Sequence, residues 1–334
     1  MQPTMKTTSE TGGGNVPQGS AGGALHVAFG VDSGYFRGMG AAIVSLLQHN
    51  AQQRFVFHVF AFAVSEDSRN RLDRLAQRYD LDIRTHLLDA HMLDAFRAFP
   101  CFAQHQLGTF IRLLIPNLLH GISDRVLYLD ADLLCFGSIA ALHAIELDGA
   151  IAAAVHDEVS TTAKTQIATL GLAKPEYFNA GVMLINVPEW IRADVQTRAL
   201  TVLSTQQLLF ADQDALNVAL NGRVVYIGDE WNTRYHLVDY TSRGESELVV
   251  PPQVVFMHFT GPVKPWQDWC LHDARKVFLQ VQDRSSWSDM PLDPPRTARE
   301  FKLYSKSLMK HGRWKEGICM HLRYLRKRSA SKKR

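Results

Sequence analysis

The sequence predicts an α/β fold built on a mainly parallel central sheet, and three observations predict it. Short apolar runs with β-branched members alternate with amphipathic helical stretches through the first half of the chain. Residues 126–129 are such a run, with the pattern of a strand buried on both faces. That run stops on Asp130, Ala131 and Asp132, two carboxylates at a strand's carboxyl end, where open α/β sheets hold their ligands.

In chain order, residues 25–31 form the first strand. A turn through Asp32, Ser33 and Gly34 follows, then a helix over 38–49 carried by Met39, Ile43, Leu46 and Leu47. A strand, a turn bearing an acid and a helix is how nucleotide-binding α/β units begin. There is no G-x-G-x-x-G and no Walker motif, so a nucleotide would be held by other means. Residues 55–62 form the second strand, Ser65 N-caps a charged helix over 66–79, and 81–88 alternate as a third strand. A loop over 89–106 leads to a mostly apolar helix over 107–119 whose single charge is Arg112. Beyond the two acids, 151–155 is a buried strand ending at His156, Asp157 and Glu158, and 177–186 is another. A long helix starts at Pro188, and a further one opens at 211–217 with Asp212 and Asp214 in its first turn, where negative charge suits the macrodipole. The last clear strand, 254–257, runs into a loop over 258–266 rich in glycine and proline.

Composition excludes several classes. The chain has 334 residues, 46% hydrophobic and 21% charged, ordinary values for a globular protein. Its four cysteines are scattered with neither C-x-x-C nor zinc spacing, as free thiols in a reducing compartment would be. No apolar run is long enough to span a bilayer. Residues 1–23, rich in glycine, serine and threonine, lack the apolar core of a secretory signal and are expected to be a disordered leader, so a cytoplasmic chain is expected. The net charge of +3 is concentrated at the end: residues 310–334 hold ten Lys or Arg against one acid, Glu316. Residues 289–295 look like a proline-rich linker. After it, Leu308, Trp314, Ile318, Leu322 and Leu325 mark one helical stripe over 307–328 with basic residues between them. Such a helix either adsorbs to an anionic membrane surface or docks on the body of the protein. Nucleic acid is not the expected partner, because aromatics are few there and the rest of the chain offers no matching basic face.

Two carboxylates at a strand end can hold a hard divalent cation, which can clamp a diphosphate; equally, Asp130 can end a strand and Asp132 cap a turn. Four segments in register point to one chemistry: 129–132, 178–181, 212–214 and 258–266. Together they resemble the retaining family-8 glycosyltransferases, above all the bacterial lipopolysaccharide galactosyl- and glucosyltransferases. The resemblance covers residues 25–268, and the basic tail resembles the extension of the lipopolysaccharide-core members.

That resemblance implies a single nucleotide-sugar-binding domain of the glycosyltransferase A type over 24–268, plus a basic helical C-terminal extension over 269–334. It implies transfer of glucose or galactose from a UDP-hexose donor to a lipopolysaccharide core acceptor, at the inner face of the cytoplasmic membrane. Asp130, Asp132 and His258 would be the protein ligands of Mn2+ or Mg2+. An imidazole beside two carboxylates favours Mn2+, the softer of the two. Gly261 would let the backbone approach phosphate and Lys264 would place a charge on the diphosphate. Gly30 and Asp32 match the uracil and ribose positions, although Ser33 and Gly34 depart from the family pattern. Arg112, Asp157, Asn179, Ala180, Asp212 and Gln213 match the sugar-binding positions, with His156 able to shift the place of Asp157 by one. Arg112 has a second reading, as a structural pair for a sheet-end carboxylate. A non-catalytic module that kept the fold, or a transferase acting on a protein or polysaccharide, are the competing functions.

Overall fold

The computed structural model describes residues 23–97, 99, 107–157, 161–242 and 246–331. The expected leader lies, apart from Gly23, outside the described residues. Among the described residues ten strands form: β1 (Leu25–Gly30), β2 (Phe55–Ala61), β3 (Asp82–Leu87), β4 (Arg125–Leu129) and β5 (Leu133–Cys135), then β6 (Ala152–His156), β7 (Phe178–Asn186), β8 (Val224–Ile227), β9 (Thr233–Arg234) and β10 (Phe256–His258). Seven of them make one sheet in the order β3-β2-β1-β4-β7-β6-β8. Its neighbours are parallel except at β7, which runs antiparallel to both β4 and β6. This is the mainly parallel α/β architecture the sequence predicts.

Burial follows position in the sheet. All seven residues of β2 are buried, whereas edge strand β3 is exposed at Asp82, Arg84, Thr85 and Leu87. One face packs on the helix Phe36–His49 and takes in Trp287; the other packs on the helices from Ile115–Leu119 to Ala211–Leu220. A small second sheet, β5-β10-β9, bridges to a third apolar cluster around Trp266, Trp269 and Phe278. The helix Phe36–His49 lies so close to the turn after β4 that a Cβ on Gly38 would come within 2.2 Å of the Ala131 carbonyl oxygen. Ser65 does cap the helix Glu66–Tyr79, accepting from the Ser68 N–H.

Several expected elements differ. The helix expected over 107–119 is two, Leu107–Ile111 and Ile115–Leu119, because Pro116 has no N–H to give the Arg112 carbonyl. Arg112 therefore sits at the break, not on a helix face. The loop expected over 89–106 contains a helix, Ala90–Arg97. The long helix from Pro188 is interrupted at Asp194, whose φ is +49°, giving Val187–Arg192 and Val195–Thr205. The single stripe expected over 307–328 is split at Gly312 (φ +73°) into Ala298–Lys310 and Trp314–Ser331. Leu308 is wholly buried, while Trp314, Ile318, Leu322 and Leu325 on the second helix are 62, 54, 52 and 42% exposed. Asp289 and Asp293, in the proline-rich stretch, ion-pair with Arg71 and Arg37 of the body.

Candidate active site

The two acids are placed by backbone pairing on both sides. The Asp130 N–H donates to the Gly181 carbonyl at 2.8 Å, anchoring it to β7, and the Asp132 carbonyl accepts from the Phe259 N–H at 2.9 Å. β10 pairs antiparallel to β5 with His258 opposite Leu133, which carries the imidazole to the acid turn. His258 Nε2 lies 3.0 Å from Asp132 Oδ1 and 3.6 Å from Asp130 Oδ2. The ring occupies the space a side chain at residue 181 would need: a Cβ there would be 2.3 Å from His258 Cε1. One ligand atom from each of the three residues lies within 4.8 Å of the others, and among the described residues no other His, Cys, Asp and Glu group has that geometry. Two hard carboxylates and a borderline imidazole converging at the mouth of a sheet form a donor set that fits a divalent cation.

Two buried cations balance the acids. Lys264 Nζ reaches Asp132 Oδ2 at 2.5 Å and the Phe259 carbonyl at 2.8 Å. Arg112 sits 3.0 Å from Asp130 and donates to the Ala180 carbonyl at 2.7 Å, with its face over the Tyr128 ring. Its Nε lies 2.7 Å from Asp212 Oδ2 as an ion pair not aligned for a hydrogen bond. Arg112 thus pairs with a sheet-end carboxylate, as its structural reading expects, and also lines the cleft. Burial opposes ionisation of Asp132, yet Lys264 and His258 outweigh it and hold the carboxyl well below its usual range. At Asp212 burial wins over Arg112, with Asp130 adding to it, and the carboxyl is pushed up to about 7.

The remaining predicted residues surround this core. Gly30 and Asp32 line one cleft with Tyr35, Arg112, Asp130 and Asp132. Asp32 accepts from the Gly34 N–H at 2.9 Å, an Asx turn that shapes the cleft floor, and burial raises its carboxyl. Gln213 accepts from Asn179 Nδ2 and from the Ala180 N–H, both at 3.1 Å, and donates to Asp157 Oδ2 at 3.3 Å. It is Asp157, not His156, that faces the site, since His156 stacks on Tyr226 with centroids 3.6 Å apart. Gly261 has a φ of +86°, and a Cβ there would meet His236 Nε2 at 2.2 Å.

Three residues that the sequence did not single out complete the arrangement. Arg234 ion-pairs with Asp157, Asn232 bonds both His258 and Asn179, and Asp214 takes hydrogen bonds from Tyr177 and Gln166. Arg234 and Asn232 stand on or beside the two-residue strand β9, too short for any pattern to flag. Asp214 carried a signal, as the second acid of the 212–214 segment.

The family model "Glycosyl transferase family 8" matches residues 26–270, and "Glycosyl transferase family 8 C-terminal" matches 274–328. A lipopolysaccharide 1,3-galactosyltransferase of Salmonella typhimurium is 31% identical over 324 residues, 94% of either chain. A lipopolysaccharide 1,2-glucosyltransferase of Escherichia coli K12 is 31% identical over 314 residues, 90% of either chain. In fold, the chain is similar to the galactosyltransferase LgtC solved with donor and acceptor sugar analogues, with a TM-score of 0.65 at 24% identity over 78% of this chain and 96% of that one. Matched by both family models along nearly its whole described length, and 31% identical to relatives that it covers almost end to end, the chain belongs to glycosyl transferase family 8.

Proposed function

We propose that this protein is a retaining α-glycosyltransferase moving glucose or galactose from a UDP-sugar to a lipopolysaccharide core acceptor. The observation that carries the reading is the convergence of Asp130, Asp132 and His258 beside Lys264 and Gln213. Family membership and the names of the relatives support the hexose and the acceptor class.

Asp130, Asp132 and His258 would hold Mn2+, or Mg2+, and the bound ion would offset charge growing on the UDP diphosphate. Lys264, already dehydrated in its pocket, adds a fixed positive charge at the same place. Gly30 and Asp32 hold the nucleoside end, Gly261 brings backbone close to phosphate, and Arg112, Asp157, Asn179, Ala180 and Asp212 orient the hexose. The acceptor hydroxyl attacks from the face the UDP leaves and gives its proton to the departing diphosphate oxygen, so the α configuration is kept. Gln213, an amide and a poor nucleophile, steadies the oxocarbenium-like state from the opposite face.

The exposed stripe of Trp314, Ile318, Leu322 and Leu325, flanked by Lys315, Arg323, Arg326, Lys327 and Arg328, supports peripheral adsorption to the anionic inner face of the cytoplasmic membrane. No helix among the described residues is long and apolar enough to cross a membrane.

The test is UDP release from UDP-glucose and from UDP-galactose, with and without truncated lipopolysaccharide, in Mn2+ and in chelator. Acceptor-stimulated, chelator-sensitive release with one of the two donors is expected. Release that acceptor does not stimulate would point to a hydrolase, and stimulation by a protein or glycan instead would replace the acceptor. Flotation with anionic but not neutral vesicles tests the tail.

A further inference from the structure

Two backbone amides set the polarity of the whole site. A backbone N–H can only donate. That of Gly181 lies 3.0 Å from Asn179 Oδ1 and that of Ala180 lies 3.1 Å from Gln213 Oε1, so both oxygens are acceptors and neither amide can be flipped. Asn179 Nδ2 then donates to Gln213 Oε1 at 3.1 Å. Because Asn179 Oδ1 accepts, the group of Asn232 that meets it at 2.8 Å is Nδ2. The other end of Asn232, its Oδ1, is left facing His258 Nδ1 at 3.0 Å. An amide oxygen cannot donate, so Nδ1 carries the ring proton. Nε2 is then the ring nitrogen that a cation would meet, turned toward Asp132 and Asp130. A ring held in this way presents Nε2, and not Nδ1, to any ion that the two carboxylates share.

We propose that Asn232, only 1% exposed, is a positioning residue joining the two ends of the site. On one side it fixes the tautomer that offers His258 Nε2 to the cation; on the other it holds Asn179, and through it the Gln213 amide beneath the sugar. Metal binding and sugar orientation are coupled through this one side chain. The cation half of the proposal rests on the metal reading of Asp130, Asp132 and His258.

Asn232→Asp and Asn232→Ala separate the two links. The aspartate keeps an acceptor for His258 Nδ1 and loses the donor to Asn179; the alanine loses both. In donor-free protein titrated with Mn2+ and followed by electron paramagnetic resonance, the alanine variant should bind roughly 10- to 100-fold more weakly. The aspartate variant should bind at least as tightly as wild type. Its kcat should nevertheless fall about tenfold, with the alanine variant lower still. Histidine 15N shifts should report an Nδ1–H ring at His258 in wild type and Asn232→Asp, and mixed tautomers in Asn232→Ala. Unchanged Mn2+ affinity and an unchanged tautomer in Asn232→Ala would overturn the proposal, as would an aspartate variant that loses Mn2+ as badly as the alanine. Wild type that binds no Mn2+ would instead sink the metal reading; the tautomer and the aspartate variant's kcat would then decide the link to Gln213 alone.

Discussion

The same sheet encloses two groups of polar side chains, and they are built on opposite terms. At the carboxyl end of β4, Asp130, Asp132 and Asp212 crowd one cleft with Arg112 and Lys264. Along β1, β2 and β3, three imidazoles form a row instead: His26 Nδ1 to His58 Nε2 at 2.9 Å, and His58 Nδ1 to His86 Nε2 at 2.9 Å. The rings stack with centroids 5.1 and 5.2 Å apart. Burial, helped by the neighbouring charge of Arg84, lowers all three, and His58 falls to about 3. The row is a set of neutral groups that satisfy one another and call for no ligand. The acid cleft sets its carboxylates against Arg112 and Lys264 and still turns ligand atoms of Asp130, Asp132 and His258 toward one another. Burial of polar groups alone is therefore no mark of function; the convergence of metal-competent donor atoms is.

The sharpest way to break the contrast is to neutralise one member of each group. Asp132→Asn keeps the volume and removes a charge, and turnover should drop by about 10³-fold or more, read as UDP release in saturating Mn2+. His58→Leu should leave that turnover within about twofold of wild type, since nothing in the row reaches the cleft. A comparable loss in both variants would mean the row serves the site after all. Next in size is Gln213→Ala, which takes away an amide tied to Asp157, Asn179 and Ala180. A kcat loss of about 10²-fold with Mn2+ affinity retained is expected. Turnover like that of wild type would remove Gln213 from the account of the transition state.

The contrast also explains what could be read from the string. The acid pair was legible as two carboxylates closing an apolar strand, whereas His258, Lys264 and Gln213 were legible only through the family resemblance of the segments that hold them. The sheet was legible because its central strands are apolar runs closed by turns. What escaped depended on partners far away in sequence. β9 is two residues long and exists only because β10 lies beside it. Asn232 matters because His258, 26 residues on, and Asn179, 53 residues back, both come to it. Likewise the row of imidazoles is created by strand register, Ala28 opposite His58 and Phe60 opposite His86, which no single strand displays. The break at Pro116 was visible in principle, but the apolar periodicity on either side of it argued for one helix.

The smallest effect tests the row directly, through acid. In the folded chain His58 takes up a proton only near pH 3, whereas an unfolded histidine does so near 6.5. Between those values the unfolded state binds more protons, so lowering the pH favours unfolding. Stability is complete above about pH 6.5 and should decline as pH falls toward 3, by up to about 1.4 kcal/mol per pH unit for His58 while its folded form stays neutral. His26 and His86, lowered in the same direction but partly exposed, add less. Urea midpoints at pH 7.5, 6 and 5 should therefore fall steadily in wild type. His58→Leu removes the most strongly lowered of the three, so its midpoints should change much less over the same interval. Parallel declines in the two proteins would assign the acid sensitivity to groups outside the row, and the row would then carry no share of it.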